Sequence, residues 1–298
     1  MTRQTWDKAL AIWQKAGKEG IILGRTQLAS ILSVPDREAR EILFSLKHLN
    51  LIRCDSSIME ACSGEVVLAI GDLHIPYQDD AAIEAALSYA ERRSINTICL
   101  MGDIMDFYQI SSFGKNPLRS KRLFDEINQG KAFLRSLRNR FPDANIIYYA
   151  GNHEERLARY IYDKAPQLSE LLDNFLPEKL GLPEFNISFE ENPFKIGKLW
   201  YLHGHEKGKG SYNPEWITNV VMGSVYDHFI TFHYHRSQDK VFKRIGGRYF
   251  RASSVGYLAG EMDYARMNKW QQGFAIITYS DDGEFSIDNK TIINGKVY

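Results

Sequence analysis

Six of the eight histidines in this 298-residue chain stand in short polar clusters that directly follow apolar runs. Runs of this length, rich in Val, Ile, Tyr and Phe and ending in Gly-Asp, Gly-Asn or His, predict buried strands that lead into loops. Because ligands bind outside the carboxyl ends of strands in open α/β sheets, we expect the clusters to form one site. The five runs are residues 66–70, 97–101, 145–150, 199–202 and 229–232.

The clusters contain carboxylates, an amide and imidazoles but no thiol, which is the donor set of a metal site. Oxygen and nitrogen donors without sulfur favour Mn, Fe or Zn over Ca, and we expect Mn. Seven candidate ligands exceed the needs of one tetrahedral zinc and suit two divalent ions that share a carboxylate, roughly 3.5–4 Å apart. The candidates are Asp72, His74, Asp103, Asn152, His203, His233 and His235.

Two of the clusters, Asp72-x-His74 and His233-x-His235, place ligands two residues apart. In an extended strand such residues point to the same side. We therefore expect an extended backbone at both pairs, with the two members of each pair able to bind one cation.

The order of the clusters resembles that of the calcineurin-like metallophosphoesterase superfamily over about residues 65–280. The resemblance implies an α/β fold, a four-layer αββα sandwich of two mixed sheets. It rests on Asp72-x-His74, Gly102-Asp103-x-x-Asp106, Gly151-Asn152-His153-Glu154, His203 and His233-x-His235.

The resemblance also implies a role for each matching residue. Asp72, His74 and His235 would hold one ion and Asn152, His203 and His233 the other, with Asp103 bridging both. A metal-bound hydroxide would attack phosphorus. His153 would be the general acid that protonates the leaving oxygen, and Asp106 would orient it.

Two departures from the family pattern bear on substrate and site. Phe232 stands where the family usually has the glycine of Gly-His-x-His, so we expect a different local backbone there. The Arg-Gly that follows the second motif of protein Ser/Thr phosphatases is missing after Asp106, which disfavours a phosphoprotein substrate.

Basic residues near the motifs are the candidate substrate contacts. Arg156 and Arg236 are placed to clamp a phosphate oxygen, and His205 either lines the pocket or packs behind His203. The basic, glycine-rich segment 207–213, with Lys207 and Lys209, suits a phosphodiester backbone or a nucleotide. A second basic patch follows the second motif and consists of Lys115, Arg119, Lys121 and Arg122.

Residues 1–62 differ in texture from residues 63–298, which we assign to the metallophosphoesterase domain. Helical spacing of apolar residues in 5–16, 26–32 and 36–48 resembles a helix-turn-helix, and a small winged-helix-like domain is expected. Such a unit would contact DNA. The alternative is that these helices only pack on a neighbour or mediate oligomerisation, as in a homodimer.

The rest of the chain predicts a soluble cytoplasmic protein. Its formal net charge is zero, no stretch suits a signal peptide or membrane span, and its three cysteines form no Cys-x-x-Cys pair. Helices are expected at 80–92, at 119–140 and at 156–172, the last broken at Pro166. A terminal meander is expected from strands 273–280 and 284–288 and a turn at 294–295.

Three functions are compatible with these residues. The first is a DNA nuclease or other phosphodiesterase, similar to the repair-exonuclease branch of the superfamily. The second is a small-molecule phosphatase or cyclic-nucleotide phosphodiesterase whose N-terminal helices only cover the pocket. The third is a DNA-binding regulator whose metal site is structural.

Overall fold

The computed structural model describes residues 8, 30–34, 58–59, 64–112, 114–116, 122–172, 174–207, 227–243, 245–262 and 269–298. The chain divides into two compact units, Met1–Ser56 and Ser57–Tyr298. The fold described below is that of the second unit. The helix-turn-helix and wing predicted within 1–62 lie almost entirely outside the described residues and stay a prediction, as does the boundary at 62.

A seven-stranded mixed sheet forms the centre of the second unit. Its strand order is β13-β12-β11-β2-β3-β4-β5. The strands from β2 to β5 are parallel neighbours, whereas β11, β12 and β13 pair antiparallel. The strands are β2 (Val66–Ile70), β3 (Thr97–Met101), β4 (Asn145–Tyr149), β5 (Ile187–Glu190), β11 (Gln272–Tyr279), β12 (Phe285–Ile293) and β13 (Lys296–Val297).

A second mixed sheet has six strands in the order β1-β6-β7-β8-β10-β9. Strand β8 lies between β7 and β10 and is parallel to both, while β6–β7 and β9–β10 are antiparallel pairs. The strands are β1 (Ile58–Met59), β6 (Phe194–Ile196), β7 (Leu199–Leu202), β8 (Phe229–Thr231), β9 (Gln238–Lys243) and β10 (Tyr249–Ser254).

The two faces of the seven-stranded sheet are buried against different layers. On one face Leu68 and Leu100 join the core with Ala86 and Leu134 of the helices; on the other, Ala69 packs among side chains of the six-stranded sheet. Burial on both faces explains why β2 and β3 are continuous apolar runs rather than alternating ones. The helices are α1 (Asp80–Glu91), α2 (Leu123–Arg140), α3 (Glu155–Lys164) and α4 (Phe175–Leu180).

The α/β class and the pair of packed mixed sheets are confirmed. The five predicted strand runs match β2, β3, β4, β7 and β8 to within one residue at each end. The break at Pro166 is also confirmed, because α3 ends at Lys164 and a 3₁₀ helix spans Pro166–Leu172. Within the part of the chain that the structure describes, no helix is both long and apolar enough to span a membrane.

Two predicted boundaries are wrong. Helix α2 begins at Leu123 and not at 119, because Arg122 precedes it in an extended conformation. Strand β12 continues to Ile293, five residues past the predicted end, because residues 288–292 remain paired with β11 although most of them are polar. The turn at Asn294 and Gly295 joins β12 to β13 as expected.

Candidate dinuclear metal site

The predicted ligands lie in loops that leave the carboxyl ends of the strands, and most of them have a left-handed backbone. Five of them have positive φ values between 50° and 68°: Asp72, His74, Asp103, His233 and His235. The prediction of an extended backbone at Asp72-x-His74 and at His233-x-His235 is therefore wrong. Single left-handed residues reverse the chain locally, and such strain occurs preferentially at ligand sites.

Asp72, His74 and His235 form the first ligand cluster, with donor atoms within 4.8 Å of one another. Nε2 of His235 lies 3.2 Å from Oδ1 of Asp72 and 3.3 Å from Nε2 of His74. All three side chains are buried. Three converging donors in a buried position suit a single divalent cation.

Asp103, His203 and His233 form the second cluster, within the same distance limit. Nδ1 of His203 lies 2.7 Å from the carbonyl oxygen of Met101, which leaves Nε2 to point at Oδ2 of Asp103, 3.3 Å away. A carbonyl behind a histidine ligand fixes its tautomer and ring orientation. His233 and His235 thus belong to different clusters, and the expectation that they bind one cation together is wrong.

The two clusters adjoin each other. Oδ1 of Asp72 lies 4.0 Å from Nε2 of His203, and its Oδ2 accepts a hydrogen bond from the backbone N–H of His233. The centroids of the His203 and His233 rings are 5.1 Å apart. The six side chains therefore form one continuous donor set.

Two buried polar atoms at this site lack hydrogen-bond partners among the described residues. They are Oδ1 of Asn152 and Nε2 of His203, whose 3.3 Å contact with Oδ2 of Asp103 does not have hydrogen-bond geometry. A buried polar atom without a partner costs free energy, so such atoms indicate a missing cationic or polar partner. Oδ1 of Asn152 is an oxygen donor of the kind that a divalent ion binds, and the residues present fit two divalent ions.

His153 and Asp106 lie against the first cluster. Nδ1 of His153 is 3.2 Å from Oδ1 of Asp106 and 3.0 Å from its carbonyl oxygen, a contact compatible with the predicted role of Asp106 in orienting His153. Oδ1 of Asp106 is also 3.2 Å from Nδ1 of His74, a contact that the sequence did not reveal. Burial raises the pKa of Asp106, but His153 and His74 outweigh this effect and hold the pKa below its ordinary value.

Burial governs the protonation of His233. It lowers the pKa of this imidazole to about 3, and the neighbouring His203 acts in the same direction. At neutral pH the ring is therefore uncharged, the form in which histidine binds a metal.

Two carboxylates anchor the ligand loops, Glu154, which is buried, and Glu206, which is partly buried. Glu154 accepts hydrogen bonds from the backbone N–H groups of Asp103, Met105 and Gly151 and from the hydroxyl of Tyr148. Glu206 does the same for the turn at His203, where it accepts from the N–H groups of His203 and Gly204. The sequence patterns assigned neither glutamate a function. Their proximity in sequence to predicted site residues could have indicated one, because Glu154 follows His153 and Glu206 lies three residues after His203.

Glycines make room for the ligands at the strand ends. A Cβ on Gly102, which has a φ of 82°, would lie 2.6 Å from Nδ1 of His203. Gly71 leaves space for the side chain of Phe232, because a Cβ at position 71 would lie 2.8 Å from the phenyl ring. Phe232 is fully buried between the sheets, so the family's glycine is replaced here by a core side chain.

Arg156, one of the predicted substrate contacts, lies against His153 and Asp106. Its guanidinium donates to the carbonyl oxygen of Asp106 and to Nε2 of His153, each at 2.6 Å. Lys115 shares this environment: burial and the charge of Arg156 lower its pKa, while Asp106 acts in the opposite direction. Arg156 therefore lies beside His153, and Lys115 interacts electrostatically with Arg156 and Asp106.

The remaining predicted contacts are placed as follows. His205 lies 2.9 Å from Oε1 of Glu155, and its ring centroid is 5.3 Å from that of His203. Arg236 is buried, and its carbonyl oxygen accepts from the hydroxyl of Ser254. Lys207 ends the 3₁₀ helix His205–Lys207, and Lys209 lies outside the described residues, as do Arg119 and Lys121.

Comparison with known proteins places the chain in a family. The Gene 54 proteins of Mycobacterium phages L5 and D29 are each 26% identical to it, over 75% and 74% of this chain and 97% and 96% of theirs. Vacuolar protein sorting 29 of Cryptosporidium parvum gives a TM-score of 0.44 at 17% identity, covering 79% of this chain and 95% of that one. A family model described as calcineurin-like phosphoesterase matches residues 66–262, and the chain belongs to that family.

Proposed function

We propose that this protein is a dimetal-dependent phosphodiesterase and that its substrate is DNA. The proposal rests on one observation. Two adjoining ligand clusters have an additional imidazole–carboxylate pair, His153 and Asp106, packed against them. A site that held metal only for stability would not need an imidazole that contacts the cluster without belonging to the predicted ligand set.

In this proposal each ion has its own ligands. Asp72, His74 and His235 would hold one ion and Asn152, His203 and His233 the other, with Asp103 available to both. Mn is the expected metal, with Fe or Zn as alternatives. When bound, two such ions neutralise phosphoryl charge and supply a nucleophile at neutral pH.

His153 is proposed as the proton donor to the leaving oxygen. Its Nε2 faces the shared carboxylate, 3.6 Å from Oδ2 of Asp103, while Nδ1 is held by Asp106. Arg156 donates to this Nε2, so Nε2 carries no proton in this arrangement. For His153 to act as the donor, the guanidinium must move away and Nε2 must first take up a proton from solvent. A phosphate oxygen is a strong acceptor for guanidinium and favours that movement.

An anionic substrate is supported by the cations Arg156 and Lys115. The charge of Arg156 lowers the pKa of Lys115, and an anion bound near both would offset this repulsion. A phosphodiester with a long polyanionic backbone also suits the basic segment that includes Lys207 and Lys209. The helix-turn-helix pattern in residues 1–62 favours DNA over a small ester.

A substrate panel in the presence of Mn tests the proposal. It contains bis-p-nitrophenyl phosphate, a phosphomonoester, a cyclic nucleotide, and labelled single- and double-stranded DNA. Cleavage of DNA together with the diester is the expected result. Turnover of the monoester or the cyclic nucleotide without DNA cleavage would replace the DNA proposal by the small-molecule alternative.

A further inference from the structure

Aromatic side chains line one side of the first ligand cluster. The ring of His235 is stacked on Tyr257, with centroids 5.1 Å apart and an interplanar angle of 14°. Trp270 lies edge-to-face against His235 at 4.4 Å and against Tyr257 at 5.6 Å. Tyr77 packs on the same small apolar cluster. We call Tyr77, Tyr257 and Trp270 the aromatic wall.

Backbone hydrogen bonds fix the aromatic wall to the metal-binding loops. The N–H of Leu258, next to Tyr257, donates to the carbonyl oxygen of Asp72, and the N–H of Tyr77 donates to that of His74. The N–H of Gln271, next to Trp270, donates to the carbonyl oxygen of His235. The wall is therefore held in one position relative to the predicted ligands.

The wall continues toward the cations of the site. The ring centroids of Tyr77 and Tyr108 are 6.2 Å apart, and the ammonium of Lys115 lies 5.4 Å from the centroid of the Tyr108 ring. Tyr77, Tyr108 and Trp270 are each partly exposed, whereas His235 is buried. An aromatic surface with a cation at its end lies beside a site built for a phosphoester.

We infer that the aromatic wall binds a nucleobase next to the scissile phosphate. This inference rests on the proposed phosphodiesterase function and specifies the group that flanks its phosphate. Bases stack on aromatic side chains irrespective of sequence, and each stack contributes enough affinity to matter by alanine substitution. Aliphatic side chains would serve equally well if the wall only shielded His235 from water.

Two esters with the same leaving group test this inference in the full-length protein. Thymidine 5′-(p-nitrophenyl phosphate) carries a base, and methyl p-nitrophenyl phosphate does not. We expect kcat/KM to favour the thymidine ester by about tenfold or more, within the range for one stacked base. Replacing Trp270 by Leu should lower kcat/KM for the thymidine ester far more than for the methyl ester and so bring the ratio close to one, and Trp270→Phe should retain most of the preference.

Two further measurements, metal content and a binding titration, distinguish stacking of a base on Trp270 from structural support of His235 by Trp270. Thymidine monophosphate should quench tryptophan fluorescence, and Trp270→Leu should remove that quenching while the metal content stays unchanged. Tyr249→Leu is the matched control, because Tyr249 is an exposed aromatic residue at the start of β10. Tyr77→Leu provides a second variant in the wall if Trp270→Leu does not fold.

Each outcome decides one question. An equal loss of both esters with a loss of metal would mean that Trp270 only supports His235, and the inference would be overturned. A wild-type ratio near one with good turnover would overturn the inference and leave the phosphodiesterase intact. If neither ester is hydrolysed, the proposed function fails, and quenching by thymidine monophosphate still supports or overturns base binding.

Discussion

Oδ1 of Asp106 lies 3.2 Å from Nδ1 of His74, at the same distance as from Nδ1 of His153. One carboxylate therefore serves a proposed metal ligand and the proposed proton donor. With Nδ1 of His74 held from behind, its Nε2 is directed at His235 and Asp72. Carboxylates behind histidine ligands set the tautomer and raise the basicity of the ligand.

Replacement of Asp106 by Asn should therefore weaken metal binding as well as turnover. We expect a loss of about 10- to 100-fold in metal affinity, the usual effect of removing such a partner. Competition with a chromophoric chelator measures it. Asp125→Asn, which changes an exposed carboxylate paired with Arg122, is the control. Unchanged metal affinity with reduced turnover would confine Asp106 to the support of His153.

Replacement of His153 by Ala should reduce turnover about 10²- to 10⁴-fold, the range for loss of general acid catalysis. Metal content should stay near two ions per chain, since His153 is not among the proposed ligands. Hydrolysis rate and elemental analysis measure the two effects. His228→Gln is the control, because His228 packs between Phe250 and Phe285. A wild type that binds DNA but hydrolyses no ester, with binding unaffected by His153→Ala, would support a regulator.

Metal binding should release a proton from His203. Burial lowers the pKa of this imidazole, but the carboxylates of Asp103 and Asp72 outweigh burial and raise it to about 10. In the metal-free protein the charged ring therefore stabilises the fold fully below about pH 6.5, and this contribution is lost as the pH rises through about 10. Because a metal needs the neutral ring, its affinity should increase with pH over this window.

Two measurements check the behaviour of His203. The midpoint of thermal unfolding of the chelator-treated protein should fall between pH 7 and pH 10, and His203→Asn should flatten this dependence. Calorimetric titration with Mn at pH 8, in buffers of different ionisation enthalpy, should give one fewer proton released by the variant. Equal proton release by both proteins would contradict the assignment.

Replacement of Glu154 by Gln should destabilise the fold, because its carboxylate accepts four hydrogen bonds in a buried position. The amide nitrogen of Gln is itself a donor, so it would face N–H or O–H groups that now donate to the carboxylate. We expect a loss of about 2–4 kcal/mol in the free energy of unfolding, measured in urea. Glu178→Gln, at an exposed glutamate of α4, should be neutral. A change of less than about 0.5 kcal/mol would show that Glu154 does not anchor the loops.

The sequence predicted the site better than it predicted the backbone that builds it. Strands β2 and β3 were predictable because apolar runs buried on both faces end abruptly at Gly-Asp. The family order of motifs then separated ligands from His153. The prediction that His233 and His235 bind one cation together was wrong, because both residues have positive φ and their side chains enter different clusters.

The contacts that support the site were not predictable, since they join distant parts of the chain. His74 and Asp106 are separated by 32 positions and meet only once β2 and β3 pair. Strand β6, three residues long, carries too short a pattern to be recognised. Trp270 and His235 likewise meet only through the connection that follows β10.

Removal of residues 1–56 should separate DNA cleavage from the chemistry. This truncation keeps β1, which pairs with β6 in the six-stranded sheet and belongs to the second compact unit. We expect turnover of bis-p-nitrophenyl phosphate within about twofold of the full chain, because the described ligands all lie beyond residue 71. Cleavage of DNA should fall and lose part of its salt dependence, since fewer phosphate contacts release fewer counterions. The test measures both rates at 50 and 200 mM salt. DNA cleavage that is unchanged at both salt concentrations would exclude a DNA-binding role for this segment, and parallel loss of both activities would show that it is needed for the fold.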